Sequence, residues 1–182
     1  MIKTKQELHE CLQIEKQIYA VDQTEKLTCD NKCILWKYVK MLRKSEYHYN
    51  NRRSVFHSVM YVYYRRRRNI LGRRIGCEIW ENCFDKGLTI YHPGYIVVNR
   101  EVRAGKNCYL HGSNCIGNNG KNIAAPKLGD NVSLGFGAGV FGDITIANDV
   151  VIGAGAIVIK DCTEAKSTLV GVPAKIKHDE RI

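Results

Sequence analysis

Apolar residues in the first 72 positions recur at spacings of three and four, the period of an amphipathic α-helix. Thr4-x-x-Glu7 has the spacing of a capping box and predicts the start of a first helix. Asp30 precedes a second run with the same period and predicts the cap of a second helix. The first run carries Leu8, Cys11, Leu12 and Ile18, and the second carries Ile34, Leu35, Tyr38, Val39 and Leu42.

A third helix is expected from about Ser54 through Arg68, with Val55, Val59, Val62 and Tyr63 on one side. Neither glycine nor proline occurs before Gly72. These two residues are the strongest helix breakers, so their absence favours helices over the whole stretch. We therefore predict an α-helical N-terminal region over residues 1–72.

The apolar period changes to six in the second part of the chain. An aliphatic residue stands at every sixth position, at Leu128, Leu134, Val140, Ile146, Ile152 and Val158. A second apolar or small register follows each of these by four residues, at Val132, Ala138, Ile144, Val150, Ala156 and Cys162. The same phase extends upstream through Val98, Ala104, Leu110 and Ile116. A period of six fits neither a helix nor an isolated amphipathic strand.

This period fits a coil of short strands joined by tight turns, in which each strand turns one aliphatic residue inward. Gly, Asn and Asp occur where the turns are expected, as in Gly105-Lys106-Asn107 and Gly129-Asp130-Asn131. Three hexads close a triangular coil, and stacked coils bury a continuous core. The alternative, a chance Gly-rich β sequence, does not explain two registers that stay in phase.

Composition and charge separate the same two parts. The formal net charge is +10; residues 1–72 hold 15 Lys and Arg against 7 Asp and Glu, and residues 73–182 hold 13 against 11. No apolar run reaches the 18 or so residues of a membrane-spanning helix, and the chain does not start like a signal peptide. We therefore expect a cytoplasmic protein whose eight cysteines are thiols.

Three segments resemble the hexapeptide-repeat acyltransferases, and among them the serine acetyltransferase-like branch. They are Tyr-His-Pro-Gly-Tyr-Ile-Val-Val-Asn at 91–99, Ile-Gly-Asn-Asn-Gly-Lys at 116–121 and Gly-Val-Pro-Ala-Lys-Ile at 171–176. The resemblance covers roughly residues 72–177 and implies a left-handed parallel β-helix. The predicted fold is thus mainly β: this β-helix over 73–177, after the helical region and before a tail at 178–182.

The resemblance implies an enzyme that moves an acetyl group from acetyl-CoA to a hydroxyl. No metal is expected, because Cys29 and Cys33 have no second ligand pair and only two histidines fall among the coils. It also implies a homotrimer with active sites between adjacent prisms. A hydroxyl needs a base to take its proton, and histidine suits that role near neutral pH. His92 matches the catalytic base of the family by its setting before Gly94 and Ile96-Val97-Val98; a surface turn histidine is the structural alternative.

Two further side chains are expected beside His92. The family places an acidic residue about fifteen positions before the histidine; Cys77 stands there and Glu78 follows, so Glu78 is the predicted carboxylate partner. Asp85 is the runner-up, and a solvated surface charge is the other interpretation of Glu78. His111 lies about one coil after His92 and is expected near it in the next layer, where it binds the acceptor or fills a corner.

The segment 117–126 interrupts the hexads, and the family uses its counterpart to wall the active site. Asn118 and Lys121 are therefore candidate substrate-binding residues. Serine-specific relatives carry an Arg-His pair before the Pro-Lys of this loop, whereas this chain has Ala124 and Ala125. Alanines offer no charge-assisted bond to a carboxylate, which argues against L-serine as the acceptor.

Coenzyme A in this family lies along a coil edge between neighbouring subunits, held partly by backbone groups at small residues. The matching positions are Gly135, Phe136, Gly137, Gly153 and Ala154, and Lys175 is expected near the coenzyme A phosphates. Phe136 stands where relatives usually carry alanine, which predicts a narrowed or shifted groove. The glycines have an equally good structural explanation as turn residues.

An arginine-rich segment, 52–74, contains eight arginines and no acid. Such a segment suits anionic lipid, phosphorylated substrates or oligomer contacts, and no nucleic-acid-binding module is recognisable, so no nucleic acid partner is expected. The first hypothesis is an O-acetyltransferase whose acceptor is a sugar hydroxyl in surface-polysaccharide assembly, with peripheral membrane contact through this segment. The alternatives are a serine O-acetyltransferase of cysteine biosynthesis and a non-catalytic trimeric scaffold.

Overall fold

The structure, a computed structural model, describes residues 1–177. The predicted tail at 178–182, with His178, lies outside the described residues. A helical region comes first, ending at Ile75, and a series of short strands begins at Cys77. No helix within residues 1–177 has the length and apolarity needed to cross a membrane.

The helices are α1 (Lys5–Tyr19), α2 (Gln23–Leu27), α3 (Asn31–Asn50) and α4 (Val55–Ile75). The capping box of Thr4 and Glu7 and the cap at Asp30 are confirmed, because both side chains accept backbone N–H groups of the first turn. The short α2, with its own capping box at Asp22, was not predicted.

Helix α4 begins after Ser54 as predicted but continues beyond Arg68 to Ile75. Gly72 stands inside it because the first strand passes so closely: a Cβ at this position would lie 2.3 Å from the Cys77 carbonyl oxygen. The helix buries Arg68, Gly72 and Ile75. The predicted apolar side faces outward instead, with its four residues exposed: Val55, Val59, Val62 and Tyr63.

The strands, in chain order, are β1 (Cys77–Ile79), β2 (Thr89–Ile90), β3 (Ile96–Val98), β4 (Arg103–Ala104), β5 (Tyr109–Leu110), β6 (Cys115–Gly117), β7 (Lys127–Leu128), β8 (Ser133–Leu134), β9 (Gly139–Phe141), β10 (Thr145–Ile146), β11 (Val151–Ile152), β12 (Ile157–Val158), β13 (Thr168–Gly171) and β14 (Ala174–Ile176). They form three sheets, in the orders β1-β3-β6-β9-β12, β10-β7-β4 and β14-β13-β11-β8-β5-β2. All pairs are parallel except β13 with β14.

From β1 to β13, consecutive strands belong to different sheets, so the chain winds around a three-sided prism as the hexads predicted. Both apolar registers point inward, and every one of their residues is buried. Cys108 and Cys162 lie among them as packed thiols, and all eight cysteines are free.

Side chains of the helices cover the open edge of the first coil. Tyr38 Oη accepts the Ile79 N–H at 3.1 Å, Glu15 Oε1 accepts the Leu88 N–H at 3.3 Å, and Tyr19 Oη accepts the Ile90 N–H at 2.9 Å. An open edge would otherwise expose unpaired backbone groups, and stacked coils need such a cap. The helical region therefore ends the solenoid at its N-terminal side.

Buried ion pairs join the helices to one another and to this coil. Arg43 Nη2 lies 2.7 Å from Glu15 Oε1, and Arg43 Nη1 lies 3.1 Å from Glu46 Oε2 and 2.7 Å from the Phe84 carbonyl oxygen. Arg68 of the arginine-rich segment pairs with Glu81 at 2.7 Å and is itself buried. Arg68 is therefore part of the interior and contributes nothing to a basic surface.

Candidate active site

His92 lies at a corner of the prism, between β2 and β3, and its side chain is exposed. Pro93 and Gly94 follow it; Gly94 has a φ of +156° and donates its N–H to the Ile75 carbonyl at 2.9 Å. This turn and the bond from Ile90 to Tyr19 fix the backbone on both sides of His92. Its imidazole makes no hydrogen bond within residues 1–177.

The same corner recurs in the following coils as a column of residues. The strand registers align His92 with Gly112, Gly112 with Phe136, and Phe136 with Ala154. A Cβ at Gly112 would lie 3.5 Å from His92 Cβ and 3.2 Å from the Phe136 ring, so the missing side chain leaves a space between them. The Phe136 side chain is 56% exposed and stands beside that space.

The residues predicted to bind coenzyme A line this column. A Cβ at Gly135 would lie 2.6 Å from Ala154 N, so coil packing by itself requires glycine there, and the φ of +73° at Gly137 favours glycine at that position. Gly153 approaches Val170, whose strand partner is Lys175. Lys175 is exposed beside that part of the column.

His111 lies in the coil above, but not directly over His92. The offset between β2 and β5 is Thr89 to Tyr109, so His111 is aligned with Tyr91. The two rings lie 4.6 Å apart between centroids, and His111 Nε2 is 3.3 Å from Ser133 Oγ. His111 thus contacts the residue before His92, two positions away from the alignment with Pro93 that an 18-residue coil would give.

Glu78 and Asp85 are not hydrogen-bonded to His92. Glu78 points outward from β1, opposite Val97, and Asp85 lies after β1 where its carbonyl accepts a bond from Arg43 at 2.6 Å. The carboxylate that lines the same cavity as His92 is Asp30. The sequence indicated Asp30 only as a helix cap, because the cavity that it shares with His92 forms between segments far apart in the chain.

The loop candidates lie elsewhere on the same chain. Asn118 follows β6 and lines a cavity with Glu78, at the opposite end of the β3 sheet from His92. Lys121 is exposed, and its N–H donates to Asn119 Oδ1 at 3.0 Å. Within one chain Glu78 and Asn118 therefore line the same cavity, and neither lines the cavity of His92.

Asn114 is a residue of this corner that the sequence did not single out. It is fully buried; its Oδ1 accepts the Gly112 N–H at 3.0 Å, and its Nδ2 donates to the Gly135 carbonyl at 2.8 Å. Asn114 thus holds two levels of the column together. The sequence did contain a signal for Asn114, since it is a polar residue four positions after Leu110, where the second inward register has an apolar or small residue. No three His, Cys, Asp or Glu side chains among residues 1–177 are grouped as metal ligands.

Solved structures share this architecture. A serine acetyltransferase from Brucella abortus strain S19 matches at 22% identity and a TM-score of 0.74, over 95% of this chain and 70% of that chain. The soybean enzyme matches at 21% identity and a TM-score of 0.76, over 95% and 70%. The enzyme of Neisseria gonorrhoeae matches at 24% identity and a TM-score of 0.70, over 96% and 68%. No family model matches the sequence, and no curated protein matches it.

These similarities define the fold class, a left-handed parallel β-helix preceded by a helical region, as the sequence predicted. The matched region includes the helices, since about 95% of the chain is covered in each case. The chain therefore has the fold of serine acetyltransferases across both of its parts.

Proposed function

We propose that this protein is an acetyl-CoA-dependent O-acetyltransferase in which His92 is the general base. The observation that carries the proposal is the corner column, which aligns His92 with the coil edge expected to hold coenzyme A. The similar Brucella abortus enzyme has been solved in complex with coenzyme A. Acetyl-CoA lies along this column, with Lys175 near its phosphates.

The reaction is a direct transfer. His92 takes the proton of the acceptor hydroxyl as the oxygen attacks the thioester carbonyl. The new C–O bond forms and the C–S bond breaks. The departing coenzyme A thiolate then takes the proton from His92. No cysteine is needed as a nucleophile. Burial raises the pKa of the Cys77, Cys83 and Cys108 thiols to about 12, so they stay protonated and unreactive near neutral pH.

Two acceptors have support. Similar enzymes from Neisseria gonorrhoeae and soybean have been solved with serine, and these comparisons favour L-serine. The loop favours a sugar hydroxyl of surface-polysaccharide assembly, because Ala124 and Ala125 offer no charged partner to a carboxylate. Comparing kcat/KM for L-serine with that for hexoses and N-acetylhexosamines decides between them.

His92→Ala tests the proposal itself. Removal of a general base is expected to lower the rate of coenzyme A release by roughly 10²–10⁴-fold. His9→Ala is the matched control, because His9 is an exposed histidine on α1. Near-normal turnover by His92→Ala would contradict the assignment, and absence of turnover by the wild type with every acceptor would favour the non-catalytic scaffold.

A homotrimer completes the site in this proposal. His92 and Asn118 line separate cavities of one chain, and in this proposal they meet where adjacent prisms pack together. Glu78 lies with the loop, and its role as carboxylate partner then also depends on a neighbouring chain. Sedimentation equilibrium at micromolar concentration checks this, and a monomer would contradict it.

Peripheral membrane contact through α4 is a separate proposal. Its outward side exposes Val55, Phe56, Val59 and Val62 next to the exposed Arg66 and Arg67. Apolar residues beside cations suit an anionic lipid surface. Co-sedimentation with phosphatidylserine vesicles is expected for the wild type and should decrease in Arg66→Gln/Arg67→Gln; binding to neutral vesicles alone would contradict the role of the arginines.

A further inference from the structure

The helical region contains an open cavity of about 750 Å³ between α1, α3 and α4, with α2 at its rim. Its floor is apolar and includes Val21, Ile34, Trp36 and Leu71. Its rim is basic and carries Lys16, Lys26, Lys37, Lys40 and Arg74. An apolar floor with a few charged groups around it is the usual composition of a small-molecule site, and the volume lies within the usual range.

The lining of the cavity carries five cations and a single carboxylate, that of Asp30. None of its five cations forms an ion pair within residues 1–177. The one acidic lining residue, Asp30, accepts the Lys32 N–H at 2.8 Å. Burial, together with the charges of Lys44 and Lys37, lowers the pKa of Lys40. A bound anion would relieve this repulsion, so the rim suits phosphate groups.

Trp36 gives the cavity a flat wall. Its indole is half-buried and stacks on Tyr19, with ring centroids 5.7 Å apart at 27°, while Lys40 Nζ lies 5.7 Å from the indole centroid. A broad aromatic surface next to an ammonium group can pack against the apolar face of a sugar ring while the ammonium binds a charged substituent.

The cavity shares lining residues with the cavity that His92 lines. A second cavity, of about 410 Å³, is lined by Tyr91 and His92, and it shares Asp30 and Asn31 with the first. Tyr19 lines the second cavity, stacks on Trp36 of the first, and accepts the Ile90 N–H two residues before His92. A ligand that fills the first cavity is therefore positioned to extend a hydroxyl toward His92.

From these four features we infer that the cavity binds the acceptor of the reaction and that the acceptor is a phosphorylated sugar. Its phosphate lies among the rim cations, its ring packs on Trp36, and a hydroxyl reaches His92. The inference rests on the proposed O-acetyltransferase function. L-Serine would fill only a small part of this volume. The shared chemistry, a hexose joined to phosphate, fits a nucleoside-diphosphate sugar and a lipid-diphosphate sugar alike.

Binding can be measured without the reaction. The chain contains two tryptophans, Trp36 and Trp80, so a Trp80→Phe protein reports on Trp36 alone. This otherwise full-length protein is titrated with uridine-diphosphate N-acetylglucosamine, farnesyl-diphosphate-linked N-acetylglucosamine, N-acetylglucosamine, inorganic phosphate and L-serine. A saturable change in Trp36 fluorescence is expected for the first two, and the tighter of them identifies the source.

The rim is tested with Lys37→Gln/Lys40→Gln, against the charge-matched control Lys5→Gln/Lys160→Gln at exposed positions outside the cavity. The rim variant is expected to weaken sugar-diphosphate binding at least about tenfold, and the control less than about twofold. Equal weakening in both variants would overturn the inference. So would inorganic phosphate binding as tightly as the sugar diphosphates, or displacement of them by an equal concentration of coenzyme A.

The proposed function is tested separately, by measuring coenzyme A release by the wild-type protein. Turnover with L-serine but no saturable response to either sugar diphosphate would overturn the inference and leave the O-acetyltransferase standing. A rim-dependent response without turnover by any acceptor would support the site and contradict the O-acetyltransferase.

Discussion

The coil buries aliphatic residues in a repeating order, whereas the helical region buries charges. Inside the prism, Leu134, Val140 and Ile152 are completely buried. Inside the helical region, Glu15, Arg43 and Glu46 are just as inaccessible, and Arg43 also holds the Phe84 carbonyl of the first coil. One part is stabilised by neighbours in a repeat, and the other by partners far apart in the sequence.

The difference shows how the two parts depend on each other. Each internal coil bonds its backbone to the coils above and below, but the first coil has a neighbour on one side only. Tyr19 and Tyr38 supply hydroxyl oxygens for that open side, and Arg43 supplies donors. The helices therefore do for the first coil what another coil would do, and Asp30 and Asn31 line both their cavity and the cavity of His92.

The largest effect on stability is expected for Arg43→Met. This change leaves Glu15 and Glu46 buried without their cation, which typically costs about 3–5 kcal/mol. Urea unfolding followed by helical circular dichroism measures it, with the exposed Arg66→Met as the control. A loss below about 1 kcal/mol would show that the buried charges do not stabilise the helical region.

Ile152→Ala tests the repeat in the same way. The side chain is fully buried in β11, so its truncation is expected to lower the free energy of unfolding by about 2–5 kcal/mol. Val151→Ala, on the same strand but with 45% of the residue exposed, should change it by about 0.5 kcal/mol or less. Similar losses for the two variants would contradict the inward and outward alternation.

Tyr19→Phe removes one hydrogen bond between the helical region and the first coil. The Ile90 N–H, which now donates to Tyr19 Oη at 2.9 Å, would be left buried without an acceptor. A loss of about 1–3 kcal/mol is expected in denaturant unfolding. Tyr63→Phe on the exposed side of α4 is the control, and an equal change in both would mean that the hydroxyl does not hold the first coil.

The smallest effect concerns pH and the helices alone. Burial lowers the pKa of His48, and the neighbouring charges of His57 and Lys44 lower it further. The unfolded chain therefore binds the proton more readily, so this contribution to stability is complete above the unfolded pKa of about 6.5 and is lost as the pH falls below it. The melting temperature should drop by a few degrees from pH 7.5 to pH 5.5.

His48→Gln should reduce that drop, and His9→Gln should not, because His9 is exposed on α1. An unchanged drop in His48→Gln would assign the pH dependence to other groups.

Local patterns were sufficient for much of the fold. The capping box at Thr4, the cap at Asp30 and both hexad registers were predicted correctly, because each depends on residues within a few positions of one another. The outward side of α4 was not predicted. Periodicity gives the side on which apolar residues lie, but it does not say whether another element covers that side.

The residues of the candidate site also fall into those that local patterns predicted and those that they did not. His92 and the glycines of the coil edge could be named from their local settings, and the strand register aligns them in one column. The offset that moves His111 over Tyr91 depends on the length of the first coil, which no single hexad encodes. Asn114 links two coils through its amide and was likewise not predicted.

The sequence by itself determined the helical region, the three-sided coil and the histidine at its corner, since spacing along the chain is enough to specify a repeat and its turns. Only the tertiary structure decided which residues of the helical region meet which residues of the coil. Asp30 lines the same cavity as His92, and Trp36 stacks on Tyr19 of that cavity, because α1 and α3 pack against the first coil. Contacts between distant segments depend on how whole elements pack, and no local period records them.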